Sequence, residues 1–455
     1  MGRLIARRLI ARRLIARRLI ARRLVVRRLV TRRLVVRRLV ATLSLVVAPL
    51  TKLPDGTVKQ VNPFTGTHVW TIPGRGHRPL HQPVAEVVPV DPAQRNALCA
   101  FCPDRYLDTP PEKARRVRMA RGWETAYDLP AERLFETTAD FRLIPNLFPI
   151  LSLDYWRTNH SYQISDREIA CRRAYFTSPG GREQVLALIA RHAPWLLDRG
   201  DDAIIGSGIF GGFHDVVIAR RHLTDDRADN ALLASSGTLT PDEHHQFIDF
   251  TRAAALRLYE KTASVRNVIV FQNWLRPAGA SFDHLHKQLV AIDELGRART
   301  LDADRLRTRP RLVEDYLTLL TENGLLVAET STGFAAAGVG HRFPTLEVWL
   351  RRPDSDLANL STAELADFSA LLHACHVAMG PHLPVNEEWH YRAPSQQHAI
   401  PLRALLKWRI STPAGFEGNS GIYVNTIDPW GVADRTRIWL RERVAELSPG
   451  VRIFD

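Results

Sequence analysis

The sequence predicts an α+β fold in two related halves, each a β-sheet with a helix packed on it, the second copy degenerate. Three observations predict it. Strand-like apolar runs recur through the second half of the chain, capping-box helices follow two of them, and the order strand, arginines, helix, strand occurs twice. At 455 residues the chain holds two or three domains' worth of core, and 45% hydrophobic with 24% charged residues is ordinary globular composition.

The first 40 residues contain 15 arginines, in pairs from Arg7 and Arg8 onward, and no acid. The whole chain has a formal charge of +14, so without those arginines the remainder stands at −1. The body is therefore not a basic protein, and a nucleic-acid reading would rest on the tail alone. That tail repeats every five residues, "RLIAR" drifting to "RLVVR", which fits neither the 3.6-residue helix nor the 3.5-residue coiled coil, so no apolar stripe forms. Residues 1–50 read as a disordered arm or as translated sequence upstream of the true start. The alternatives are an arginine tether to a membrane surface or nucleic acid, and a targeting segment using the short apolar run "LVATLSLVVAPL" (39–50). No run of about 18 apolar residues occurs, so no membrane span is expected.

From residue 51 the sequence is globular, with a catalytic half expected over 51–300 and a degenerate half over 301–455. "NPFTGTHVWTIPGRGHRPL" (62–80) reads as a turn, a short strand and a Gly/Arg-rich loop, followed by a loop with "CAFCPDR" (99–105). "FRLIPNLFPIL" (141–151) is apolar and punctuated by proline like an edge strand. Residues 152–204 are less periodic and read as an insertion with one helix near 182–198.

The internal echo follows. "HDVVIARRHL" (214–223) is a β-type run ending in arginines, and a helix opens after it with Thr240 as N-cap, Pro241 at N1 and Glu243 at N3. "LEVWLRRPDSDLANLSTAELADFSALLHACHVAM" repeats the plan, with Ser361 and Glu364 as the capping box. Strand-like blocks then close each copy, "VRNVIVFQN…HLHKQLVAI" in the first and "EEWHYRAP…LRALLKWRI" in the second. The second has "LRALL" where the first has "HLHKQ", so chemistry on that strand belongs to the first copy.

Side chains alternate across a strand, so His284, His286 and Gln288 share one face while Leu285, Lys287 and Leu289 take the other. A lone strand histidine is usually a hydrogen-bonded structural residue. Two histidines and an amide in register each need a partner, which points to chemistry. Imidazole can ligate a metal or attack as a nucleophile. Of the four cysteines, Cys99, Cys102, Cys171 and Cys375, the first two form a CxxC, which in a reducing compartment means metal or redox work, so a cytoplasmic location is expected. Two thiolates, His284 and a histidine elsewhere would complete a Cys2His2 set and leave His286 free to attack phosphorus, with Gln288 donating to a phosphate oxygen.

"FQNWLRPAGASFDHLHKQ" (271–288) resembles the signature of the galactose-1-phosphate uridylyltransferase family of the histidine-triad superfamily, in which an aromatic-acid-Asn segment leads through Gly-x-Ser to His-Pro-His-Gly-Gln. "NPFTGTHVWTIPGRGHRP" (62–79) is similar to that family's N-terminal strand and arginine loop, "CAFC" to its zinc CxxC and "ARRHL" (219–223) to its third zinc ligand. The resemblance implies two histidine-triad-like halves of antiparallel sheet with helices, and zinc at Cys99, Cys102, His222 and His284. It implies His286 as covalent nucleophile and Gln288 and Ser281 as phosphate contacts. It also implies Asn273 on the nucleotide's phosphates, Asn146 on the nucleotide, and Arg75 and Arg78 on the nucleotide or sugar phosphate.

The implied activity is a nucleotidyltransferase or phosphorylase acting on a nucleotide sugar or dinucleotide through a nucleotidyl-histidine, with phosphate or a sugar phosphate as acceptor and a homodimer as the family's common assembly. Hydrolysis by water, and a non-catalytic nucleotide-binding zinc scaffold, are the rival readings. Four residues depart from the pattern: Leu285 and Lys287 flank the nucleophile in place of proline and glycine, and Phe282 and Asp283 replace Asn-Pro. In the C-terminal half His390 remains of the family's second metal site but no His-x-His follows, so that site is expected to be lost. "GFEGNSGIYVN" (415–425) is closer to the sugar-nucleotide and diadenosine-polyphosphate phosphorylase branches and reads as an acceptor-site loop.

Overall fold

The computed structural model describes residues 48–75, 89–224, 233–394, 396 and 400–455. The arginine tail and Arg78 lie outside the described residues. In chain order the elements begin with β1 (Leu50–Lys52), β2 (Val58–Val61), β3 (His68–Thr71), β4 (Ala114–Met119), β5 (Gly122–Tyr127) and β6 (Phe141–Pro145). Four helices follow: α1 (Leu153–His160), α2 (Asp166–Thr177), α3 (Pro179–His192) and α4 (Asp201–Ile205). Then come β7 (His214–Ala219), α5 (Pro241–Glu260), β8 (Asn267–Trp274), β9 (His286–Ile292), α6 (Arg297–Thr308) and α7 (Leu312–Glu322). The rest comprises β10 (Leu326–Glu329), β11 (Gly333–Ala337), β12 (Thr345–Leu350), α8 (Thr362–Met379), β13 (Val385–His390), β14 (Arg403–Trp408), α9 (Gly415–Ser420), β15 (Ile422–Asn425), α10 (Pro429–Glu442) and β16 (Arg452–Ile453).

Twelve strands form one antiparallel sheet in the order β16-β10-β11-β12-β14-β13-β8-β9-β7-β6-β4-β5, and α5 and α8 pack together on one face of it. The fold is α+β, as expected. A second, four-stranded sheet, β1-β2-β3-β15, pairs β3 and β15 in parallel. It docks on the long sheet through Gln60, whose side chain accepts from the Gly340 N–H at 2.9 Å, and Asn62, which donates to the Val339 carbonyl at 2.8 Å. Gly340 has φ +72°, and a Cβ there would stand 2.2 Å from the Asn62 nitrogen, so only glycine permits this contact.

Both expected capping boxes are present, and the structure explains the arginines that precede them. Thr240 and Glu243 bond reciprocally, and Arg221 donates to the same Glu243 carboxylate at 2.8 Å. Ser361 and Glu364 do likewise, with Arg352 on Glu364 at 2.6 Å. In each case an arginine just beyond a strand clamps the cap of the next helix, which fixes where the chain turns. Hydrogen bonding from Arg352 pulls the Glu364 carboxyl down to about 2.

Two sequence expectations are corrected. β6 is not an edge strand, because it pairs with β7 and with β4. Pairing on the β4 side covers only Phe141–Leu143, so Pro145, with no N–H to give, lies beyond it. The 152–204 segment holds four helices instead of one. Buried Arg172 on the inner side of α2 disguised its apolar face; its terminal nitrogens donate to the Ile205, Ser207 and Gly211 carbonyls.

The helix face of β9 contains a charge. Lys287 is fully buried, its Nζ 2.6 Å from Glu387 Oε1 and 3.0 Å from Gln272 Oε1, with the Phe247 ring 5.1 Å beneath it. Glu387 on β13 also accepts from His376 of α8 at 2.8 Å and from the Trp389 indole at 2.5 Å. Burial opposes ionisation of Glu387, yet Lys287 and His376 hold its pKa well below the usual carboxylate range. Removing one member of a buried pair strands the other. Lys287→Met is therefore expected to cost about 3–5 kcal/mol by urea denaturation, with most of it recovered in Lys287→Met/Glu387→Gln. A single substitution without loss would contradict this account.

Candidate active site and metal centre

Four side chains from three loops meet at one point. Cys99 and Cys102 are joined by a turn in which the Cys102 N–H donates to the Cys99 carbonyl at 3.0 Å. His222 lies just beyond β7 and His284 just before β9. Cys99 Sγ is 3.8 Å from Cys102 Sγ and 3.4 Å from His284 Nδ1, while Cys102 Sγ is 3.5 Å from His222 Nδ1 and 3.8 Å from His284 Nδ1. All four ligand atoms lie within 4.8 Å of one another. A tetrahedral ion with bonds of about 2.3 Å to sulfur and about 2.0 Å to nitrogen would set sulfur–sulfur edges near 3.8 Å and sulfur–nitrogen edges near 3.5 Å. The donor set and its edges fit a metal ion. His284 Nε2–H donates to the Ala219 carbonyl at 2.7 Å, which turns Nδ1 toward the thiols, the usual support of a ligating histidine.

His286 is the next residue on that face. Its Nδ1–H donates to the His284 carbonyl at 2.7 Å, so the lone pair is on Nε2. Burial lowers its pKa to about 4, which leaves the imidazole neutral near neutral pH. Phe101, the middle of "CAFC", sets its ring 5.3 Å from that of His286 and 4.4 Å from Phe282. Phe101 thus walls both His286 and His284, with Phe282 packed on its ring. Lys287 points to the opposite face, as the alternation requires, and Leu285 is fully buried.

Gln288 accepts at Oε1 from His214 Nε2–H at 3.1 Å. Asn146, just past β6, has its Nδ2 3.2 Å from His214 Nε2, and its Oδ1 accepts from the Phe148 N–H at 2.8 Å. The β8–β9 register pairs Phe271 with Gln288, so Asn273, two residues on, falls level with His286. Its Oδ1 accepts from Asn386 Nδ2 at 2.7 Å, leaving its own amide N–H groups to face the turn at Gly279. Asn386 is held in turn by Arg409 at 2.6 Å. Ser281 is on the exposed loop before β9. His214, Asn386 and Phe101 were not singled out from the sequence, because their relevance depends on strand pairing and loop closure that no local pattern carries.

A family model described as a domain of unknown function, DUF4921, matches residues 53–454. The chain belongs to the DUF4921 family. A comparison with curated proteins gives no match. An ADP-glucose phosphorylase from Arabidopsis thaliana, solved with bound ADP-glucose, superposes with a TM-score of 0.54 at 18% identity, covering 84% of this chain and 98% of that one. A GalT-like protein from the same plant gives a TM-score of 0.51, also at 18% identity, with the same coverage. At that identity the likeness is one of fold, and it agrees with the resemblance found in the motifs.

In the DUF4921 chain Arg75 is placed in a wall that holds none of the histidines just described. It lines a cavity of about 230 Å³ with Arg342, Thr412, Glu417 and Tyr423, so the start of the arginine loop and the 415–425 segment meet as neighbours; that segment is helix α9 and strand β15, not the loop expected, because β15 pairs with β3. The corresponding face of the C-terminal strands is filled by paired charges: Lys407 on Glu388 at 2.6 Å, Arg403 on Asp302 at 2.7 Å, and His390 3.4 Å from Glu388. Among the described residues the Cys2His2 group is the one cluster able to hold a metal. No helix among them is long and apolar enough to cross a membrane. Elemental analysis of the purified DUF4921 protein is expected to find about one transition-metal ion per chain, lost with a drop in stability in Cys99→Ser. A metal-free wild type as stable as the variant would contradict the assignment.

Proposed function

We propose that this protein is a zinc-containing nucleotidyltransferase of the phosphorylase type, acting on a nucleotide sugar or dinucleotide through a nucleotidyl-histidine. The observation that carries the reading is His286, its Nε2 lone pair left free by the Nδ1 bond to the His284 carbonyl, set between a Cys2His2 cluster and two carboxamides. The ADP-glucose phosphorylase fold and the motif order support it.

Zinc suits two thiolates and two imidazoles in a tetrahedron, and a closed set of four protein ligands is a structural site that locks its loops together. Here it would tie Cys99, Cys102 and His222 to the start of β9. His286 Nε2 would attack the α-phosphorus, forming a P–N bond as the P–O bond to the sugar phosphate breaks and that group leaves. An oxygen of inorganic phosphate or of a sugar phosphate would then attack the same phosphorus and release the imidazole. Gln288, Asn146 and Asn273 would donate to phosphate oxygens as charge builds on them. Arg75 and the 415–425 segment would hold the acceptor, with Arg78 and Ser281 assisting at the phosphates. The two strand–helix–strand units read as copies of one ancestral half, 51–300 active and 301–455 degenerate, its polar face consumed by ion pairs. The free Cys99 and Cys102 thiols suit a reducing, cytoplasmic compartment.

Incubation with ADP-, UDP- and GDP-sugars and with dinucleotides is expected to give an acid-labile nucleotidyl adduct by intact mass, absent in His286→Ala. With phosphate present the products are expected to be a nucleoside diphosphate and a sugar phosphate. Nucleoside monophosphate formed without any phosphate requirement would favour hydrolysis, and binding without an adduct would favour a non-catalytic scaffold.

A further inference from the structure

His214 is buried on β7, on the same face as Val216 and Ile218. Packing there is satisfied by apolar side chains, so an imidazole at this position needs another reason. Its bonds supply one. The Ile150 N–H donates to Nδ1 at 3.3 Å, which leaves the ring proton on Nε2, and Nε2–H donates to Gln288 Oε1 at 3.1 Å. A carboxamide has one oxygen and one NH2, so a donor that claims the oxygen decides where the NH2 points. The Gln288 NH2 is thereby turned away from His214; Asn146 is anchored beside the same imidazole by its backbone N–H to the His214 carbonyl at 2.9 Å, while its Nδ2, 3.2 Å from the protonated Nε2, is a donor with no bond to that nitrogen.

We propose that His214 is a positioning residue that fixes the amide orientation of Gln288, so that this side chain presents donors, not an acceptor, to a phosphate next to His286. Without it the amide can rotate by half a turn and oppose an oxyanion with its own oxygen. The inference rests on the reading of His286 as the group that takes the nucleotidyl unit.

A double-mutant cycle on the full-length protein tests it with two readouts, ADP affinity by calorimetry and the rate of adduct formation from ADP-glucose by intact mass. His214→Leu is expected to slow adduct formation roughly tenfold to a hundredfold, the scale of outer groups that orient a reacting side chain. In a Gln288→Ala background the same substitution should change either readout by no more than about twofold, because the group it positions is gone. His214→Gln retains an N–H donor near the Nε2 position and should restore most of the rate, while circular dichroism melting reports whether each variant is folded. Losses that add in both readouts, or a His214→Gln as poor as His214→Leu, would overturn the proposal. If wild type forms no adduct but the two residues remain coupled in ADP affinity, the transfer reading falls and the positioning role stands. No ADP binding by wild type would overturn both.

Discussion

Strand β9 is covered on both faces, and polar residues stand on both. That is the constraint from which the rest of the arrangement follows, since every such group must find a partner or pay the cost of desolvation. On one face His286 bonds the backbone of its neighbour and Gln288 bonds His214. On the other, Lys287 bonds Glu387 and Gln272. The lysine beside His286 is thus a helix-face residue tying β9 to β13 and α8. Of the four departures from the resembled motif, Lys287 is thereby explained by the buried pair it makes on the helix face.

The site is assembled by bringing loops to the start of β9. The "CAFC" turn contributes two thiols to the Cys2His2 cluster and one phenyl ring beside His286, so half of the cluster's donors and the histidine's wall come from four consecutive residues. His222 and Ala219, at the exit of β7, supply a ligand and the carbonyl that orients His284. Capping-box helices hold these exits: the Arg221 contact to Glu243 ties the residue before His222 to the first turn of α5. The loop geometry near the Cys2His2 group therefore depends on the same bonds that begin the helix.

Much of this was legible. Alternation put His284, His286 and Gln288 on one face and Lys287 on the other, and the capping boxes located two helices, because both signals are local. The ordered motifs pointed to the four residues of the metal cluster, which the structure places together. Local signals could not show that β6 is interior, since that depends on which strands lie beside it. They missed α2 because Arg172 interrupts its apolar side, and they missed His214 because its meaning comes from β7 lying next to β9. Residues whose partners are distant in sequence are the ones a linear reading loses.

The central claim is that one strand face divides its labour, His284 to a metal and His286 to phosphorus. Tandem mass spectrometry of the protein trapped with ADP-glucose at neutral pH tests this most directly, by locating the modified residue. The account predicts the nucleotidyl mass on His286 alone, with His222 and His284 unmodified. An adduct on His214, His222 or His284, or on a residue outside β9, would contradict it.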